Sequence, residues 1–198
     1  AFVSLLKRAD MTRYELFLRE TRTYEIIEDV KNFRSEIGVL FLNSYNRDVL
    51  TKMFDDNRLT YTSLFKARPH IFVSKSNPLA KHEVVSLEDL EEFPYLSYDQ
   101  GIHNSFYYSE EILSQIPHKK SIVVSDRATL FNLLIGLDGY TIATGILNSN
   151  LNGDNIVSIP LDIDDEIDIV YLKHEKATLS KMGEKFLDNL VKEVTFDN

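Results

Sequence analysis

The chain has 198 residues, a hydrophobic fraction of 43% and a charged fraction of 27%, which is typical of a soluble globular protein with one large or two small lobes. It contains no cysteine, which excludes disulfides and thiolate metal sites and is compatible with a reducing cytoplasm. The net charge of −9 repels phosphate backbones, so we expect no direct contact of this chain with DNA. No apolar run approaches the roughly 20 residues that a membrane helix needs, so we expect no membrane partner.

The first half of the chain alternates between strand-like and helix-like apolar patterns, beginning with Ala1–Arg8, which reads as the end of a helix. Thr23 is a suitable helix cap, and Glu25 and Glu28 favour the first turns that follow it. The nearly continuous apolar run Ile37–Leu42 is typical of a buried parallel strand. The other elements predicted in this half are the strand Tyr14–Leu18, the helices Thr23–Arg34 and Asn46–Asp56, and the strands Leu59–Phe65 and Pro69–Ser74.

The second half continues the alternation, and polar residues mark the starts of its helices. Ser86 followed by Asp89 resembles a capping box, and Ser125 is the predicted N-cap of a helix that includes Ala128–Leu137. The other predicted elements are the strands Tyr95–Tyr98, Ser121–Val124, Tyr140–Thr144, Ile156–Leu161 and Ile167–Leu172 and the helices Ser105–Gln115 and Ser180–Val194.

This order of elements predicts an α/β protein, because strand–helix–strand connections of this length favour parallel pairing with right-handed crossovers. Two loop-like stretches, Ser74–Pro78 and Asp162–Asp165, interrupt the pattern and are interpreted as crossings between two lobes. The first lobe then comprises residues 1–73 and 166–198, and the second comprises residues 74–165. Two crossings form a hinge, and a hinge between two lobes leaves a cleft.

Three segments resemble the effector-binding domain of LysR-type transcriptional regulators. Ala67–Gly101 carries an apolar strand, an Asn77-Pro78-Leu79-Ala80 turn and a short helix and strand in the order of that family. Val123–Gly145 and Phe17–Leu40 are similar to two further family segments, so the resemblance covers essentially the whole chain. Glu36 stands where the family usually has Asp, and Thr144-Gly145 replaces its usual Leu-Pro.

The resemblance implies the fold of type 2 periplasmic binding proteins, with two Rossmann-like lobes, mixed and mainly parallel sheets, and two crossover strands. A small effector would bind between the lobes. DNA would be bound only through an N-terminal winged helix-turn-helix domain that is absent from this chain, as is the first strand of the first lobe. The resemblance also implies homodimers, or tetramers at full length, that form by pairing the helix in Ala1–Arg8 with Ala128–Leu137 of a second subunit. Such a regulator would be cytoplasmic.

The loops beyond the carboxyl ends of the strands are the candidate effector site, because open α/β sheets bind ligands there. In the first loop Thr21 and Thr23 offer hydroxyls and Arg22 could clamp a carboxylate, although Thr23 could simply cap its helix and Arg22 could be solvated. In the second loop Asn43 and Ser44 could bind ligand or only form a side-chain turn.

Two further loops complete the candidate site. The loop Tyr98–Asn104 concentrates polar groups. The imidazole of His103 in this loop could contact an anion, sense pH or simply be a surface histidine. The other places Ser125 and Asp126 at a helix start with free backbone N–H groups, where Asp126 is either a surface acid or a contact for an amino group. The residues nominated in these two loops and after the next strand are Tyr98, Gln100, His103, Asn104, Ser125, Asp126 and Thr144. We expect a polar or carboxylate metabolite as the effector.

Catalysis is not indicated, because the chain lacks the Walker, GxGxxG, GxSxG and HExxH motifs. Its five histidines lack metal-ligand spacing, so we expect no metal and no cofactor. The alternative function is a monomeric solute-binding protein of a transport system, which would need an export signal or lipid anchor. An α/β enzyme is a third interpretation, for which Asp126 with His103 is the only acid–base pair we can nominate.

Overall fold

The structure is a computed structural model that describes residues 2–8, 15–147 and 154–196. Its helices are α1 (Phe2–Arg8), α2 (Thr23–Lys31), α3 (Arg47–Asp56), α4 (Leu87–Leu90), α5 (Arg127–Gly136) and α6 (Lys181–Phe196), with 3₁₀ turns at Pro78–Lys81 and Phe106–Tyr108. Its strands are β1 (Gly38–Leu42), β2 (Leu59–Ala67), β3 (His70–Ser74), β4 (Tyr95–Tyr98), β5 (Ser121–Val124), β6 (Tyr140–Ala143), β7 (Ile156–Pro160) and β8 (Ile167–His174).

The strands form two sheets, which confirms the predicted mixed α/β class. One sheet has three strands in the order β1-β8-β2, and the other has five in the order β5-β4-β6-β3-β7. The chain leaves the first sheet after Ala67, enters the second at His70 and returns to the first between Pro160 and Ile167. The change of sheet therefore falls before the predicted boundary at residue 73, and the division of the chain into lobes otherwise stays a prediction.

The expectation of mainly parallel sheets was wrong: among the described strands only the pairs of β4 with β5 and β6 are parallel, and one isolated parallel bridge joins Val85 and Leu161. Strands β1 and β2 do share a direction, as the crossover through α3 requires, but β8 lies between them and is antiparallel to both. Strand β3 likewise pairs antiparallel with β6 and β7. In each sheet the strand that enters from the other sheet, β8 in the first and β3 in the second, lies between two strands that run opposite to it, and this accounts for the antiparallel pairs.

Each sheet is covered by helices that bury apolar side chains against it. On the first sheet, Ile27 and Phe54 of the two covering helices pack with Leu42 and Leu172 and are essentially inaccessible to solvent. On the second sheet, Leu134 of α5 packs with residues of β4 and β5. At about 25 cal/mol per Å² of buried apolar surface, these layers supply the main stabilising free energy of each lobe.

Helix α2 lies unusually close to strand β1 because the strand begins at a glycine. A Cβ atom on Gly38 would lie 2.7 Å from Cγ2 of Ile26 and 2.9 Å from Cγ2 of Val30. Both neighbours are β-branched residues of a helix, whose χ1 angles are restricted, so they have little room to move aside. The absence of a side chain at this position therefore sets the depth at which α2 packs.

Two predicted elements differ from the structure. Residues 15–18 of the predicted strand Tyr14–Leu18 form no strand, and Phe17 is 83% exposed, because no described strand pairs with this segment; Tyr14 lies outside the described residues. The prediction of a helix over Ser105–Gln115 was also wrong, since only Phe106–Tyr108 is helical in this segment. Leu113 adopts a φ of 61°, which a continuing right-handed helix excludes, and the side chain of Glu111 is buried.

The other predicted helices and strands are found with their ends shifted by a helical turn or less. The capping box is also confirmed, because the Ser86 hydroxyl accepts from the Asp89 N–H and the Asp89 carboxylate accepts from the Ser86 N–H.

Candidate functional site

An ion pair connects the start of α2, which packs on the first sheet, with the loop after β4 of the second sheet. The Arg22 guanidinium donates through Nη2 to Oδ2 of Asp99 at 2.7 Å and through Nε to the Asp99 carbonyl oxygen at 2.9 Å. The two side chains are 37% and 43% exposed. Arg22 therefore joins the two lobes while it remains within reach of solvent.

Gly101 provides the space that the guanidinium occupies. Its φ of +61° lies in the left-handed region that favours glycine, and its N–H donates to Oδ1 of Asp99 at 2.9 Å. A Cβ atom at this position would lie 2.7 Å from Nη1 of Arg22. The tight turn over residues 99–101 therefore orients the carboxylate toward the arginine and keeps the path to it open.

Aromatic contacts attach the segment after β4 to the first lobe at two further places. The rings of Tyr24 and His103 stack with centroids 3.5 Å apart and an interplanar angle of 17°. The rings of Tyr45 and Tyr107 stack with centroids 4.8 Å apart. The segment thus lies across both the start of α2 and the loop that precedes α3, where the first two candidate loops are found.

A cavity of about 420 Å³ lies beside the ion pair. This volume is within the range of about 300–1,000 Å³ that small-molecule sites usually have. Its lining includes Arg22 and Tyr24 from the first lobe and Gln100 and His103 from the second. Three of the residues nominated from the sequence, Arg22, Gln100 and His103, are therefore brought together around one cavity between the lobes.

A buried carboxyl group, that of Glu111, lies next to the loop that carries Asp99. Glu111 is 4% exposed, and its Oε1 accepts the Tyr98 N–H at 2.8 Å. Burial raises the pKa of Glu111 to about 8, and the neighbouring carboxylate of Glu110 adds to the rise. Burial is also the main cause that raises the pKa of Glu110, whose Oε1 accepts weakly from Nε2 of Gln100 at 3.4 Å.

Tyr98 is half-buried, and burial raises its pKa to about 12. The charges of Arg127, Glu110 and Glu20 all act on this phenol, so the start of α5 and the residues before α2 lie near the end of β4. The start of α2, through Arg22, and the end of β5, through the Val124 carbonyl that accepts the Asp99 N–H, both contact the loop of Asp99.

The first candidate loop is only partly free for a ligand. The Thr21 hydroxyl donates to the Glu25 carboxylate, and this bond is the main reason why the pKa of Glu25 is lowered. Thr23 is buried as the first residue of α2 rather than its cap, because the N-cap position is Arg22, whose side chain makes no capping bond. The expectation that Thr23 caps this helix was therefore wrong.

In the second candidate loop Asn43 forms a side-chain turn. Its Oδ1 accepts the N–H groups of Tyr45 and Asn46 at 3.1 and 3.0 Å, and its Nδ2 donates to Oδ2 of Asp165 at 3.3 Å. Of the two alternatives left open by the sequence, the turn is formed, and it links the loop to the returning crossover. Ser44 beside it is exposed.

The N-cap of α5 is Asp126 rather than Ser125. Its Oδ1 accepts the Thr129 N–H at 2.9 Å, and this bond is the largest cause of a lowered pKa at Asp126. The two residues are both suitable caps, and the helix begins one residue later than the sequence pattern indicated. Ser125 and Asn104 are exposed, and Thr144 accepts the Ile146 N–H within its own turn at 3.4 Å.

Sequence analysis missed Asp99, Gly101 and Glu111 as functional candidates. The turn Asp99-Gln100-Gly101 is visible as a loop signal, but Asp99 meets Arg22 across a separation of 77 residues. No local pattern encodes that pairing, because it depends on how the two lobes are placed against each other.

A second, more apolar cavity of about 420 Å³ lies beside the free edge of β1. Phe2 and Leu5 of α1, Phe17, Val39 and Phe186 of α6 are among its lining residues. In the described residues β1 pairs only with β8. The expectation that the first lobe lacks its first strand stays a prediction.

In the described ranges no group of three or more histidine, aspartate or glutamate side chains is arranged to hold a metal ion. Over the same part of the chain, no helix combines the length and apolar character needed to cross a membrane.

Residues 8–195 match the family described as the LysR substrate binding domain. The chain belongs to this family. No curated protein sequence matches the chain. Membership of the family confirms the resemblance that the sequence segments indicated. The cavity lined by Arg22 and Gln100 lies in a domain of a substrate-binding family.

Solved structures of LysR-family proteins share the fold. HinK, a LysR family transcriptional regulator from Pseudomonas aeruginosa, is 15% identical with a TM-score of 0.60 over 89% of this chain and 59% of its own. The effector-binding domain of QuiR in complex with shikimate is 18% identical with a TM-score of 0.58, covering 87% and 78% of the two chains. The BenM effector-binding domain with its effector benzoate is 18% identical with a TM-score of 0.59, covering 90% and 78%. The present chain thus spans about three-fifths of HinK.

Proposed function

We propose that this domain binds a small carboxylate effector between its lobes, with Arg22 as the residue that receives the carboxylate. The observation that carries the proposal is that Arg22, half-exposed at the start of α2, already holds a carboxylate from the opposite lobe beside a cavity of about 420 Å³. Guanidinium groups bind carboxylates through charge-assisted hydrogen bonds of fixed geometry. A ligand bound there would contact both lobes at once.

The chemistry of two structural relatives supports this ligand class. Shikimate, bound by QuiR, and benzoate, the effector of BenM, are both six-membered rings with one carboxylate. The cavity here offers the stacked rings of Tyr24 and His103 as an apolar wall and the amide of Gln100 as a polar one. A compact ring carboxylate would therefore find both a charged anchor and a flat surface.

We further propose that the domain is the sensing part of a cytoplasmic transcription regulator, which binds DNA through another domain and works as a homodimer or, at full length, as a tetramer. Family membership favours this function over a transport solute-binding protein. Apolar side chains exposed on the two helices expected to pair support the dimer: Val3 on α1 is 44% exposed, and Ile135 on α5 is 45% exposed. Effector binding would then alter how the subunits are held together.

Replacing the arginine tests the proposal. The 198-residue chain is expected to bind benzoate or shikimate in isothermal titration, and Arg22→Gln is expected to weaken that binding about tenfold or more, because a hydrogen-bonded charge pair is lost. The matched control is Lys52→Gln, which removes a positive charge from an exposed ion pair on α3. Equal affinities of the wild-type and Arg22→Gln chains would contradict the proposed role of Arg22.

A further inference from the structure

We infer that Asp99 is a built-in competitor for the effector: its carboxylate occupies the guanidinium of Arg22 in the absence of ligand and must be displaced when an anionic ligand binds. This inference rests on the proposed function and adds a mechanism of regulation to the same site. The arrangement holds the lobes together through a protein carboxylate in the place that a ligand carboxylate would take.

The geometry of the pair is that of a carboxylate recognised by an arginine. Oδ2 of Asp99 lies 2.7 Å from Nη2, and the backbone oxygen of the same residue lies 2.9 Å from Nε. The other oxygen, Oδ1, accepts the Gly101 N–H, so the turn of residues 99–101 presents the carboxylate to the arginine. Glu25 approaches Nη1 at 3.3 Å, so negative charge already surrounds the guanidinium.

The exposure of the pair makes it exchangeable. Arg19 and Arg34, which line the same cavity, both pair with Asp29 at 2.8 Å, and that carboxylate is only 5% exposed. A buried carboxylate that loses its partners is left as an uncompensated charge out of contact with water, which is strongly unfavourable. Asp99, in contrast, is 43% exposed and would be solvated as soon as it left Arg22. Of the three arginines at this cavity, Arg22 is therefore the one whose partner a ligand can replace.

Displacement of Asp99 would release a direct link between the lobes. The loop that carries Asp99 also carries His103, which stacks on Tyr24 of the first lobe. When a ligand takes the guanidinium, the turn of residues 99–101 loses its bonds to Arg22, while the ligand itself contacts both sides. Effector binding would thus exchange one interlobe connection for another instead of simply filling a vacant space.

The test removes the charge of the competitor and keeps its shape. In Asp99→Asn the amide oxygen can still accept the Gly101 N–H, but the negative charge that competes with the ligand is absent. Isothermal titration with benzoate and with shikimate is expected to show that Asp99→Asn binds roughly fivefold more tightly than the wild-type chain. This factor corresponds to the upper end of the range measured for exposed ion pairs. Asp99→Ser, which also retains an acceptor for Gly101, is expected to give a gain of the same sign.

Asp56→Asn is the matched control, because it removes one carboxylate of the exposed pair with Lys52 on α3 and is expected to leave both affinities unchanged. If Asp99→Asn and Asp99→Ser bind the two ligands no more tightly than the wild-type chain, Asp99 is not a competitor, although the proposed function stands. If neither the wild-type chain nor the variants bind either carboxylate, both the competitor and the proposed ligand class are contradicted.

Discussion

Raising the pH from 5 to 8 is expected to destabilise the domain, with Glu111 as the main cause. Burial raises the pKa of this carboxyl group to about 8 from the ordinary value of 4.5. The folded state therefore binds the proton more tightly than the unfolded state does. The resulting stabilisation is fully present below about pH 4.5 and is lost progressively as the pH rises to about 8. With about 1.4 kcal/mol for each unit of pKa difference, the full effect is of order 5 kcal/mol.

Two other titratable groups, Glu110 and His118, also change the stability of the fold between pH 5 and 8. The pKa of Glu110 is raised by burial as well, so its contribution has the same sign. The pKa of His118 is lowered by burial, so its contribution is opposite: the folded state gains stability as the pH rises through 6.5. A comparison with a Glu111 variant at each pH cancels both of these effects.

Glu111→Gln removes the titratable carboxyl group but keeps an amide oxygen that can still accept the Tyr98 N–H. The variant therefore isolates the effect of the Glu111 proton on stability. Urea unfolding at pH 5, 6, 7 and 8 is expected to show that the wild-type chain loses stability relative to Glu111→Gln at each step. Glu88→Gln, at an exposed glutamate of α4, is the matched control and should follow the wild-type curve. Parallel curves for the wild-type chain and Glu111→Gln would show that Glu111 does not bind its proton more tightly in the fold.

Gly38→Ala is expected to lower the unfolding free energy by about 1–3 kcal/mol, the cost of overpacking a well-filled core. The added methyl group would lie 2.7 Å from Ile26 and 2.9 Å from Val30, so α2 must move away from β1. Urea unfolding measures this loss of stability.

Gly136→Ala is the matched control for this substitution. Gly136 lies in α5, where a Cβ atom would meet no other atom within 4 Å. Alanine is a better helix former than glycine, so this variant is expected to be as stable as the wild-type chain or up to about 1 kcal/mol more stable. A Gly38→Ala chain as stable as Gly136→Ala would contradict the close packing of α2 on β1.

Features of the fold that depend on neighbouring residues were predictable from the sequence. The capping box of Ser86 and Asp89 lies within four residues, and β4 and β5 were predicted with their observed ends, because short apolar runs between turn signals indicate strands. The insertion of β8 between β1 and β2 was not predictable from local patterns, because it is decided by the return of the chain from the other lobe. This insertion makes the neighbouring pairs antiparallel although the crossover units were read correctly.

The candidate site also combines features that the sequence predicts with features that depend on tertiary contacts. The rule that ligands bind beyond the ends of strands selected the loops that contain Arg22, Gln100 and His103, and these residues do line one cavity. The rule could not select Asp99, since its significance arises only from its contact with an arginine 77 residues away. The segment of Glu111 was predicted as part of a helix, and the burial of its carboxyl group is a tertiary feature that no local pattern encodes.

The location of a bound carboxylate is the most direct test of the central claim that the effector binds at Arg22 between the lobes. We would titrate the ¹⁵N-labelled chain with benzoate and follow backbone amide shifts. The account predicts that the largest changes occur at Thr23, Gly101 and His103, on both sides of the Arg22–Asp99 pair. Changes centred instead on Leu5, Val39 and Gly183, around the apolar cavity beside β1, would contradict it.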